Sequence, residues 1–249
     1  MTALFQFCLR MGDNALVLGH RVSEWCGHGP VLEEDIALAN TALDLIGQAN
    51  LWLELAASVE EKGRSADGLA YLRDPHEFRN LLLVERPNGD FGQTLMRQFL
   101  FDAWHKPMLG CLAGSSDARV AEIAAKAVKE AHYHLDRSTE LVIALGDGTE
   151  ESHARMQAAL DSHWPFTGEF FDSDETDTAL ADIEVAPAPE DLRAPWEAHV
   201  HAALSDATLT IPEGPCLQRG GRIGRHTEHL GHMLATMQVL QRSHPGATW

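Results

Sequence analysis

The sequence predicts an all-α protein, a bundle of long helices, on three observations. Apolar residues recur at steps of three and four over stretches of twenty residues or more, Gly and Pro gather in the segments between those stretches, and no run of any length alternates with the two-residue period of a strand. The 249 residues are enough for one large hydrophobic core, since a fold of this size buries roughly three quarters of its unfolded surface. We therefore expect residues 1–249 to form a single helical domain.

Leu4, Cys8, Met11, Ala15, Leu18, Val22 and Trp25 step alternately by four and three and form one apolar stripe on a first helix. Gly12 and Gly19, seven apart on that helix, each cost about 1 kcal/mol of propensity relative to Ala, which points to a close helix crossing. Cys-Gly-His-Gly-Pro at 26–30 breaks the chain. A second helix over 32–62 opens with Glu33, Glu34 and Asp35 at the positive end of its dipole and is apolar over a wide arc. Asn40, Asp44 and Gln48 are its polar seam, facing either water or a polar pocket.

Residues 63–89 read as a connection anchored by Leu81, Leu82, Leu83 and Val84. A third helix is expected over 90–112, kinked or ended by Pro107, and a fourth over 117–145 with Asp117 as N-cap and Gly146 just past its end. A fifth runs from Thr149 to Phe171 with an interruption at Pro165, a sixth over 189–208 and a last over 225–242, with 211–224 as loop.

Composition narrows the function. The 37 acidic side chains outnumber the 19 Lys and Arg, for a formal charge of −18, so polyanions are repelled and nucleic acid is excluded as a partner. Glu169 to Asp191 holds nine acidic residues and no basic one and reads as a solvated acidic loop. No apolar run reaches membrane-spanning length, and the N-terminal sequence has no secretory pattern. Cytoplasmic location and no membrane are expected. Cys8, Cys26, Cys111 and Cys216 are widely spaced and read as packed thiols rather than disulfides or a zinc knuckle.

Isolated acids on apolar helices suggest a metal-binding bundle. A di-iron or di-manganese site takes one carboxylate from each of two helices and a Glu-x-x-His from each of two others, because positions i and i+3 share a helix face. In chain order the sequence offers Asp44, then Asp102-Ala-Trp-His105, then Glu130 with Tyr133 and His134, then Glu228-His-Leu-Gly231. Glycine stands where the second histidine is needed, and His232 follows at i+4 instead. Glu150 and His153 have the spacing but occupy a first turn, where acids are expected anyway. The set is incomplete, and Glu130 with Lys126 and His134 fits ordinary surface pairing equally well.

Longer motifs carry a resemblance. Asn80-Leu-Leu-Leu-Val-Glu-Arg-Pro-Asn-Gly-Asp-Phe, Arg97-Gln-Phe-Leu-Phe-Asp-Ala-Trp-His105, Lys129-Glu-Ala-His-Tyr-His134 and His226-Thr-Glu-His-Leu-Gly231 resemble the C-subunit family of phenylacetyl-CoA 1,2-epoxidases. So do Leu9-Arg-Met-Gly-Asp-Asn14, Glu24-Trp-Cys-Gly-His28, Leu43-Asp-Leu-Ile-Gly-Gln48, Glu169-Phe-Phe-Asp172 and the tail through Trp249. The resemblance implies a ferritin-like four-helix bundle with additional helices, in a bacterial complex that epoxidises the ring of phenylacetyl-CoA. It implies a non-catalytic structural subunit without cofactor or active site of its own. The partner is then the catalytic A-type subunit, which carries the di-iron centre, with further small and reductase subunits beside it. Asp44, Asp102, His105, Glu130 and Glu228 become vestigial metal-site positions whose buried carboxylates must be neutralised by histidines, basic side chains or water. The alternatives are a di-iron oxygenase in its own right and a metal-storage bundle.

Overall fold

Helix α1 (Ala3–Ser23) begins at Thr2, whose hydroxyl accepts the Phe5 amide. Its apolar stripe is covered, and so is nearly every other side, including Arg10, Asp13, Asn14 and Arg21. It is a central helix rather than an amphipathic one at an edge. α2 (Leu32–Glu60) lies against it, and both glycines mark the crossing. A Cβ on Gly12 would lie 2.9 Å from the Leu53 side chain, and one on Gly19 would lie 3.1 Å from Ile46. In this computed structural model, which describes residues 2–247, Trp249 lies outside the described residues.

The connection after α2 holds α3 (Ala66–Tyr71) and two 3₁₀ turns, Pro75–Glu77 and Leu82–Glu85. Leu81 to Val84 are buried, as an anchor requires. α4 (Phe91–Leu112) starts at Asp90, which accepts the Gln93 amide at 2.9 Å. Pro107 does not end it. One intrahelical bond is lost there, but Met108, Leu109 and Leu112 are core residues that hold the last turn in place. α5 (Ala118–Gly146) starts at Asp117, as expected. Gly146 is its last residue rather than the one beyond it. A Cβ there would meet the Ala207 oxygen at 2.6 Å, so close approach and not a left-handed turn requires the glycine.

The remaining elements are α6 (Glu150–His163), a 3₁₀ segment (Trp164–Phe171), α7 (Glu175–Ala181), a 3₁₀ turn (Pro189–Leu192), α8 (Arg193–Asp206), a 3₁₀ turn (Gly221–Ile223), α9 (Glu228–Met237) and α10 (Val239–Ser243). No strand occurs among the described residues. The fold is all-α.

Side-chain pairs give the topology. Gly12 meets Leu53 while Gly19 meets Ile46, so α1 and α2 are antiparallel. Asp44 pairs with His134 and Gln48 with Glu130, so α2 and α5 are antiparallel. Trp25, just past α1, bonds Thr94 near the start of α4, whereas Phe7 and Met11 share a small cavity with Trp104 and Met108 near its end. α1 and α4 are therefore antiparallel as well. Two antiparallel pairs joined by the long 61–90 crossover, with α2 and α4 running the same way, is the ferritin-like arrangement. α6 and α8 cover the outer side of α4 and α5.

Two expectations are corrected. The 169–191 stretch is not a solvated loop: Glu169 is buried and accepts the amides of Leu82 and Gly220, while Asp174 and Asp177 bind Arg10. Those partners lie more than fifty residues away in sequence, so a local count of charges misses them. Of the four cysteines only Cys8 is fully buried, and Cys26 and Cys111 are exposed. Among the described residues no helix is long and apolar enough to cross a membrane.

Candidate functional site

A polar seam runs through the apolar interior where α2, α4 and α5 meet. On α2 the series Asn40, Asp44, Gln48 steps by four, slightly more than one turn, and so rotates from an exposed position to a half-buried and then a buried one. α4 contributes Gln98, Asp102 and His105, all buried. α5 contributes Glu130, His134 and Ser138, the last two buried.

The contacts cross between helices. His134 Nε2 lies 3.0 Å from Asp44 Oδ2. Gln48 Nε2 donates to Glu130 Oε2 at 2.9 Å. Asp102 accepts from Gln98 Nε2 at 2.7 Å and from Ser138 Oγ at 3.0 Å. The i, i+4 surface pairing considered for Glu130 is not formed, since its carboxylate turns inward to Gln48. Burial dominates the electrostatics. It pushes the Asp102 carboxyl up to about 6 against the stabilising pull of His134, Gln98 and Ser138. It pushes the His105 imidazole down to about 3, with His134 adding to the shift. His105 is packed against Phe101 and Trp104, with ring centroids 4.9 and 6.2 Å away, so it is held neutral in an aromatic wall.

The donor set, as arranged, does not fit a di-iron centre. α1 passes this level with Leu16, Val17 and Leu18, and carries no acid between Asp13 and Glu24. Asp13 itself is committed elsewhere, to Arg73 and the Arg79 amide. α2 reads Asp44-x-x-Gly47 and α5 reads Glu130-x-x-Tyr133, where Tyr133 is exposed. Asp102-x-x-His105 is the one acid-x-x-His in the bundle, and both Asp102 oxygens accept hydrogen bonds from uncharged donors. Among the described residues no three or more His, Cys, Asp or Glu side chains converge in a metal-holding group. The seam can pair and neutralise carboxylates across three helices.

Asp44, Asp102, His105, Glu130 and His134 are thus brought together. Glu228 is not. It is an exposed residue opening α9, a helix packed near the crossover and the end of α1 rather than in the bundle. Chain order alone makes the last helix complete the bundle, whereas α1 takes that place. Glu150 is exposed, and His153 Nδ1 meets the carbonyl of Gly146 at 2.7 Å, at the end of α5. Spacing puts Gln48 on the polar seam of α2 but does not single out Gln98 and Ser138 as partners of these acids, because amides and hydroxyls carry no ligand pattern. The i, i+4 step from Gln98 to Asp102 is the signal that was available.

Several longer motifs meet at a different place. His226 Nδ1 lies 2.8 Å from Glu85 Oε2, with Nε2 3.1 Å from the Phe78 carbonyl. Glu85 also accepts from the Thr227 amide at 2.6 Å and from Asn80 Nδ2 at 3.1 Å. This buried knot ties the start of α9 to the crossover, and explains structurally why the Asn80 and His226 strings belong together.

Comparison with known proteins agrees with the resemblance. The family model described as "Phenylacetic acid catabolic protein" matches residues 1–249. The chain is 50% identical over 249 residues, spanning all of both chains, to the C subunit of 1,2-phenylacetyl-CoA epoxidase from Escherichia coli (strain K12). With a match along its whole length and an interior seam built as described, the chain belongs to the phenylacetic acid catabolic protein family.

Proposed function

We propose that this chain is a non-catalytic structural subunit of a multicomponent phenylacetyl-CoA 1,2-epoxidase in the cytoplasm. In this reading it holds no metal and pairs with the catalytic A-type subunit, which carries the di-iron centre. The observation that carries the reading is the seam itself. Gln98, Ser138, Gln48 and His134 occupy the carboxylates of Asp102, Glu130 and Asp44, and the one acid of α1, Asp13, is committed to Arg73 and the Arg79 amide. A buried carboxylate without a cation must be protonated or hydrogen-bonded, and these side chains supply the hydrogen bonds. The name of the Escherichia coli relative supports membership in a complex of several subunits.

The test is activity of the reconstituted complex with Asp102→Asn and Glu130→Gln introduced together in this chain. Epoxidation within about twofold of wild type is expected, because changes remote from the chemistry leave the transition-state contacts intact. A loss of several orders of magnitude with the complex still assembled contradicts the reading.

A further inference from the structure

A cavity of about 30 Å³ lies between α1, the second half of α4, the crossover and the 3₁₀ segment Trp164–Phe171, with room for one or two waters or one monatomic ion. Phe7, Met11, Trp104, Met108 and Phe170 form its apolar walls. Two side chains that line it carry a buried N–H with no partner. Arg10 is 7% exposed and binds Asp174 and Asp177 through its terminal nitrogens, which leaves Nε–H over. Trp104 is 5% exposed, and its Nε1–H bonds nothing among the described residues. Asn14 also lines the cavity, and its oxygen accepts the Leu81 amide at 2.7 Å while its NH2 group stays unused. A buried donor without an acceptor is destabilising, and two on one cavity point to a ligand.

The lining decides the chemistry of that ligand. Guanidinium and indole nitrogens donate and never accept. The acceptors in the wall are taken: Asp177 binds Arg10 and Arg222, and Glu169 accepts the amides of Leu82 and Gly220. A water could accept from the orphan donors but would have to place its own two protons on oxygens already in use. An anion has no protons to place. Arg79 brings positive charge to the same wall. It is half-buried, donates to the carbonyls of His76 and Phe78, and ion-pairs with no carboxylate among the described residues. Burial weighs against its charge, Asp13 supports it, and Arg73 and Arg10 oppose it. The size of the cavity excludes sulfate, phosphate and carboxylate ligands. We infer that this cavity is a binding site for one chloride-sized anion, held by Arg10 Nε–H and Trp104 Nε1–H beside the unpaired Arg79 guanidinium. The ion ties α1 to α4 and the crossover. On a chain of net charge −18, only such a local set of donors can hold it.

The test has two arms, both on the full-length chain. Crystals grown in sodium bromide locate the ion by its anomalous scattering, and one bromide peak in the cavity, touching Arg10 and Trp104, is expected. Melting in sodium chloride is compared with melting in sodium methanesulfonate, whose anion is too large to enter, at equal ionic strength so that screening is the same in both. Chloride is expected to raise the melting temperature by about 3 to 5 °C, as one ion at about ten times its Kd does for a chain of this length, and Trp104→Phe and Arg79→Gln should each remove at least about half of that rise. The bromide arm needs no variant and decides the matter if both variants misfold. Water without anomalous signal in the cavity, equal melting in the two salts, or a chloride rise that both folded variants keep overturns the site. A bromide peak without the chloride rise marks an adventitious ion only and overturns it too.

Discussion

Asp102 shows how one buried side chain links the seam to solution behaviour. Its carboxyl is raised to about 6 by burial, so the folded state holds the proton more tightly than the unfolded chain does. Below about pH 4 it carries no penalty; stability is lost as pH rises through 4 to 6, reaching about 3 kcal/mol above that window. Asp102→Asn should therefore raise the unfolding free energy at pH 7.5 and leave it unchanged at pH 3.5. Denaturant titration at the two pH values checks this, and an equal effect at both would contradict it. His105 and His163 have the opposite sign. Both are pushed down to about 3, chiefly by burial, so their contribution is complete above about 6.5 and is lost as pH falls toward 3. Acid unfolding of the chain should follow these two imidazoles.

Among elements, the α1–α2 crossing is the most demanding. The spacing of Gly12 and Gly19 was legible as a crossing because a mid-helix glycine is costly and calls for a steric reason. Gly12→Val should destabilise by about 1 to 3 kcal/mol despite the gain in helix propensity, since the Leu53 side chain lies where the new Cβ would go. Thermal melting reads the effect. The buried knot on Glu85 ties together segments about 140 residues apart, and His226→Ala should cost about 1 to 3 kcal/mol by removing one hydrogen-bond partner from a buried acceptor. If α9 still docks with unchanged hydrogen-exchange protection, the knot is dispensable. Periodicity predicted every long helix, and the cap at Asp117 located one start. It could not say which four helices form the bundle, and Glu228 was misplaced for that reason. Nor does a run of acids reveal arginines that meet it from distant segments, as Arg10 and Arg222 meet Asp177.

At the scale of the whole molecule, a charge of −18 stores self-repulsion that salt screens over about 10 Å at 0.1 M. The melting temperature should rise as NaCl goes from about 0.05 to about 0.5 M; a fall would mean that the surface ion pairs outweigh the net charge. The bundle reads as a ferritin-like frame in which two amides, a hydroxyl and a histidine hold the carboxylates. Iron counting tests that account most directly. The complex is assembled with its catalytic partner in iron-replete medium, the two chains are separated under native conditions, and metal is measured on each. The account predicts iron on the partner and essentially none on this chain. About two irons per copy of this chain, the content of a working bimetallic bundle, would contradict it.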